Sequence, residues 1–189
     1  MRMGLLVYAP PVILGVLIAT NIAQNGPANH PVPAISGPSQ AMALSSKADF
    51  IAAWRNGKAP GFAGLEFDGG LPPLGALAPF SAFISHQLFG GIGGGPWLGK
   101  SFPSDIYGIN RFASGDKVTF TTSIGPSRYD GKPALLLNYR EGNSFVWGKL
   151  MGMHDELREV APGVLLGIGG MTLSGGIQNS APFVLWRKQ

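Results

Sequence analysis

The chain of 189 residues has no cysteine, which excludes disulfides, thiol catalysis and Cys-ligated metals and leaves redox chemistry silent about its compartment. Charge is also scarce. Only 13% of residues are Asp, Glu, Lys or Arg, and the fourteen Lys and Arg behind the +4 net charge are scattered, with no run that could track a phosphate backbone. Nucleic acid is therefore not expected as a partner. No G-x-S-x-G elbow, H-E-x-x-H helix or EF-hand loop occurs, so no catalytic or metal-ligating residue is assigned. What the chain has in abundance is glycine (29) and proline (16), a composition of turn-rich β structure rather than a helical bundle.

From Met3 to Gln24 there is no charge, and within it the apolar run Gly4 to Ala19 is enough to cross most of a bilayer at about 1.5 Å per helical residue. With Arg2 as its flanking charge, residues 1–23 are expected to form a transmembrane anchor that places the remainder on the extracytoplasmic, periplasmic side. The alternative is a cleaved signal peptide and a secreted or periplasmic product, for which Asn21-Ile22-Ala23 offers a poor −3 residue. Residues 24–46, uncharged and rich in proline, read as a linker, and His30 within it receives no role. The rest, 47–189, is expected to be one domain: a helical preface over 47–92 and a barrel over 95–189.

Within the preface, Ser46 and Asp49 resemble a capping box, Phe50, Ile51 and Trp54 share a helical face, and Gly57 can end the helix. A second helix is expected from Pro79 to Phe89, stopped by Gly90-Gly91 and carrying His86 as a structural residue. Short strands then follow: Trp97–Phe102, Ile106–Phe112, Lys117–Ile124, Ser127–Asp130, Pro133–Tyr139, Glu156–Val160, Val164–Met171 and Pro182–Arg187, divided by turn residues such as Asp130-Gly131 and Pro162-Gly163. Alternation in Lys117–Thr122 marks a half-buried antiparallel strand. The expected fold is mainly β, an antiparallel up-and-down barrel of about eight strands with one or two short helices and the N-terminal membrane helix or signal.

Gly94 to Ser101 satisfies two motifs at once, G-x-x-x-x-G-K-S of a phosphate-binding loop and G-x-W-x-G at Gly95, Trp97 and Gly99. A phosphate loop follows a buried strand and opens a helix, whereas here a glycine run precedes and Phe102-Pro103-Ser104-Asp105 makes a turn. The strand reading is preferred, and no nucleotide is expected.

The G-x-W start, the strands after it and the close in Phe183-Val-Leu-Trp-Arg187 resemble the lipocalin and calycin group. Tyr129–Leu135 and Asp155–Gly167 are similar to uncharacterised bacterial lipocalin-like families, including the group named for GXWXG. The resemblance implies that Trp97 packs on Arg187 to close one end of the barrel, a guanidinium on an indole. Met153-His154-Asp155-Glu156 also resembles a segment of nitrobindin-type haem barrels, whose haem ligand is a histidine near the C-terminus; none follows His154 here, so no cofactor is expected.

Phe120, Leu135, Leu137 and Tyr139 are expected to line a cavity, with Arg111 or Arg158 meeting the carboxylate of a fatty-acid-like ligand. The alternative for Arg111 is a pair with a protein carboxylate. Three functions follow: a membrane-tethered carrier of a lipid, fatty acid or pigment; an accessory subunit docked in a membrane protein complex through its outer face; and an enzyme using the ionisable stretch His154–Glu159.

Overall fold

Eight antiparallel strands close into a barrel in strict sequence order, β1 pairing with β2 on one side and with β8 on the other. The computed structural model describes residues 31–74, 95–141, 152–172 and 180–189. The strands are β1 (Leu65–Gly70), β2 (Trp97–Phe102), β3 (Tyr107–Phe112), β4 (Gly115–Pro126), β5 (Pro133–Asn138), β6 (Met153–Ala161), β7 (Val164–Met171) and β8 (Ala181–Arg187), preceded by helices α1 (Pro38–Met42) and α2 (Lys47–Asn56). Closure leaves no unpaired edge.

Side-chain alternation divides the apolar residues between two compartments. Phe67, Phe102, Phe120, Leu135, Leu157 and Leu185 point inward and form an apolar cluster inside the barrel, with Phe102 edge-on to Phe62, Phe67 and Phe120 at centroid distances of 5.4, 5.8 and 5.7 Å. Leu166, Ile168, Val164 and Val184 point outward and pack beneath Phe50, Ile51 and Trp54 of α2. That helix begins as its sequence predicts: Ser46 accepts the Asp49 amide at 3.1 Å and returns a hydrogen bond to its carboxylate.

The two ends of the barrel differ. Residues 103–106, 127–132 and 162–163 connect strands at one end, while 71–96, 139–152 and 172–180, together with a tight turn at 113–114, connect them at the other.

Several expectations are corrected. Among the described residues no helix is long and apolar enough to cross a membrane; the anchor expected over 1–23 falls outside the described residues, and tethering is dropped. The helix expected at 79–89, with His86, and His30 also lie outside them. The barrel starts earlier than 95. β1 falls inside the supposed helical preface, hidden because the alternation of Leu65-Glu-Phe-Asp68 lasts only four residues before two glycines. Ser127–Asp130 is no strand but the reversal between β4 and β5, in which the Gly131 amide reaches the Ser127 carbonyl and Gly131 adopts φ +73°. The end of the supposed linker is folded as α1, with Ala41 and Leu44 buried against the outer apolar layer.

Candidate functional site

Inside the barrel, toward the end at which β2 starts, lies a buried lysine. β2 carries Trp97 at that end and, past an irregular register step between Trp97 and Gly99, turns Lys100 inward. Lys100 is 2% exposed, and Trp97, Phe120, Tyr139 and Phe183 surround its ammonium at 5.0 to 5.6 Å from their ring centroids. All three of its hydrogens have acceptors: Asn110 Oδ1 at 2.8 Å, Tyr139 Oη at 2.6 Å and Asp155 Oδ2 at 2.9 Å. Tyr139 in turn donates to Asp155 Oδ2 at 2.7 Å.

The orientation of this network is set by a strained residue. Val118 is the one described non-glycine with positive φ, +62°, at a register step in β4, a conformation costly for a β-branched side chain. Its carbonyl accepts from Asn110 Nδ2 at 3.0 Å. The Asn110 oxygen is thereby turned to Lys100 and to the Trp97 indole N–H, 3.1 Å away. Burial lowers the Lys100 pKa while Asp155, by charge and hydrogen bond, opposes the shift. Burial, and then the Asp155 charge, raises Tyr139 well above its ordinary value, so it stays a neutral donor.

Glycines make room for the site. A Cβ at Gly69 would lie 2.5 Å from the Trp97 ring, one at Gly167 would occupy the place of the Phe183 ring, and one at Gly169 would lie 3.0 Å from Asp155 Oδ1. Trp97 therefore crosses the barrel over Gly69 and meets Phe183 edge-on at 5.7 Å.

Of the expected ligand residues, Phe120, Leu135, Leu137 and Tyr139 do share the interior. The two arginines do not. Arg111 alternates outward from Asn110 and pairs with Asp68 at 2.9 Å, and its second donor contact is the Phe67 carbonyl. Arg158, fully buried, lies outside the barrel wall beneath α2, paired through both nitrogens with Asp130 and stacked on Trp54. Nor does Trp97 meet Arg187: Trp97 starts β2 at the long-connection end, whereas Arg187 ends β8 at the other and is exposed. The stretch His154–Glu159 is split by strand alternation, Asp155 pointing inward while His154, Glu156 and Arg158 point outward, so it cannot act as one catalytic cluster. Among the described residues no group of three His, Asp or Glu is placed to hold a metal.

Lys100 and Asn110 are the residues that sequence reasoning missed, and Asp155 entered it only as part of the stretch His154–Glu159. Lys100 was visible as the lysine of the rejected phosphate loop. Its inward direction depends on the irregularity after Trp97, which no alternation rule reveals.

A groove of about 910 Å³ opens elsewhere, on the outer side of β8, lined by Pro38, Asp68, Pro162, Trp186 and Arg187 among others. It holds none of the interior network, and its charged residues are half-buried or exposed.

No family model and no curated protein matches the chain. A solved structure of a protein from Thermomonospora curvata is similar at 13% identity, covering 80% of this chain and 93% of that one, with a TM-score of 0.48. The eight-stranded antiparallel barrel is itself consistent with a calycin- or lipocalin-like fold.

Proposed function

We propose that the barrel binds a small, largely apolar molecule, entering at the end of the longer connections and seated on the Lys100–Asp155–Tyr139 network. The observation that carries this reading is the buried ion pair. A barrel built only to be stable gains nothing from it, since desolvating two charges commonly outweighs their attraction and apolar side chains of similar volume do as well or better. A paired, oriented and locally strained polar group inside an aromatic shell is the pattern of a binding site, an apolar enclosure with a few placed polar atoms.

This reading replaces the tethered carrier. Membrane anchoring and docking beside a membrane complex are withdrawn with the spanning helix, and the fatty-acid contacts at Arg111 and Arg158 are withdrawn because both arginines lie outside the interior. The test is native mass spectrometry of the purified protein, followed by titration of the released molecules while Trp97 fluorescence is read against a Trp97→Phe control. Saturable quenching that depends on Trp97 supports the interior site; saturable binding that leaves Trp97 unaffected would move it elsewhere.

A further inference from the structure

Counting donors and acceptors in the interior leaves one atom over. Lys100 has given all three hydrogens, the Tyr139 hydroxyl hydrogen goes to Asp155 Oδ2, the Trp97 N–H goes to Asn110 Oδ1, and the Asn110 amide hydrogens go to the Val118 carbonyl and Tyr139 Oη. Asp155 Oδ2 receives two of these bonds. Asp155 Oδ1 receives none from the described residues. It is also the more open side of the pair, the Asp155 side chain keeping 10% of its surface exposed against 3% for Lys100. Gly169 faces it, so no side chain covers it from β7.

On the reading that the interior binds an apolar molecule, we infer that the head group of that molecule is a hydrogen-bond donor, an alcohol or amine, received by Asp155 Oδ1, and that carboxylic acids are rejected. An alcohol hydrogen completes the carboxylate's hydrogen bonding, because an ionised carboxylate is an acceptor at both oxygens. A ligand carboxylate would find no free donor on Lys100, Tyr139, Asn110 or Trp97, and it would lie against a like charge with little water between them. The lysine, which on charge alone invites an acid, is already neutralised by its partner. Selectivity of this kind works by leaving the wrong ligand unpaired as much as by pairing the right one.

The experiment compares decan-1-ol, decyl methyl ether and decanoate on the full chain by competitive titration at pH 7. Decanol should bind at least tenfold more tightly than either of the others, since the ether keeps the oxygen and loses only the donor. Asp155→Asn then reverses the sign of the contact. Lys100 and Tyr139 both donate to the inner position, so the amide oxygen takes that place and the NH2 group replaces Oδ1, which should remove the decanol preference and favour the ether and decanoate. Gly169→Ala, whose Cβ would lie 3.0 Å from Oδ1, should weaken decanol more than the ether. Equal binding of all three ligands would leave the interior site standing and overturn the donor rule, as would tighter binding of decanoate to the native protein. Binding of none would overturn the interior site itself. The ligand series on the native chain decides the question even where a variant fails to fold.

Discussion

Arg158 lies over the Trp54 ring, 4.1 Å from guanidinium carbon to ring centroid, and fastens α2 to the outside of the barrel. The same guanidinium holds Asp130 through bonds of 2.7 and 2.6 Å and the carbonyls of Pro133 and Lys132 at 3.1 and 2.9 Å. It joins three segments distant in sequence: α2, the β4–β5 reversal and β6. Arg158→Met should destabilise the domain by about 3–5 kcal/mol, the usual cost of breaking a buried pair from one side. It should leave the order of affinities among decanol, ether and decanoate intact. Chemical denaturation gives the first quantity and the competitive titration the second; a changed order would place Arg158 in the ligand site after all.

Asp130 gives this clamp an acid limit. Burial pushes its carboxyl pKa up, but the hydrogen bonds and charge of Arg158, helped by Lys132, hold it below its ordinary value. A carboxyl with a lowered folded pKa contributes stability above its unfolded pKa, about 3.9, and loses it as pH falls through the folded value. Asp130→Asn should therefore flatten the stability curve below about pH 4, measured by urea denaturation at stepped pH.

Inside the barrel the Lys100–Asp155 pair predicts a non-additive cycle. Lys100→Met strands a buried carboxylate and Asp155→Leu strands a buried ammonium, each costing about 3–5 kcal/mol, while the double variant should recover most of that loss because both charges are gone. The double variant should lose ligand selectivity even though it regains stability. Additive losses would mean that the two groups do not act as a pair.

Much of the barrel was legible because strand alternation and turn residues are local signals. β2 (Trp97–Phe102) and β7 (Val164–Met171) have the bounds read from the sequence, and the helix start at Ser46 follows from a side chain and an amide three residues apart. β1 was not legible, since its Gly69 is needed by the Trp97 ring rather than by the strand. The site was legible only in its apolar part. Phe120, Leu135, Leu137 and Tyr139 follow the period of two, but the direction of Lys100 depends on a register step, and the fates of Arg111 and Arg158 depend on partners at Asp68 and Asp130 that no spacing connects to them. Alternation says which residues share a face; closure decides which face is inside.

The G-x-W-x-G motif divides into one required glycine and one tolerant one. Gly99 has φ +139°, and a Cβ there would run into the Phe67 carbonyl and the β1 backbone. A Cβ on Gly95 would meet nothing closer than 3.5 Å. Gly99→Ala should therefore cost several kcal/mol or prevent folding, whereas Gly95→Ala should fall within about 0.5 kcal/mol of the native protein. Thermal unfolding of the two variants side by side checks this, and equal behaviour would remove Gly99 as the reason for the motif.

At alkaline pH two buried groups, Lys47 and Tyr139, act on stability in opposite senses. Lys47 opens α2 on the buried side, 3% exposed, and its ammonium donates to the Ser180 carbonyl at 3.0 Å. Burial lowers its pKa from 10.5 to about 8. Between those values the unfolded chain binds a proton that the folded chain has released, so stability rises with pH through this window; below about pH 8 both states are protonated and the contribution is at its minimum. Across the whole window the rise should amount to about 3–4 kcal/mol, at about 1.4 kcal/mol per unit of separation. Tyr139 acts in the opposite sense, because its raised pKa makes the folded state hold a proton that the unfolded chain loses near pH 10, so stability should fall beyond that point. The native protein should thus show a stability maximum near pH 10, while Lys47→Met should be more stable at pH 7 and show less of the rise. Denaturation midpoints at half-unit steps from pH 7 to 11 test both limbs, and a native curve that declines steadily from pH 8 would show that Lys47 remains charged in the fold.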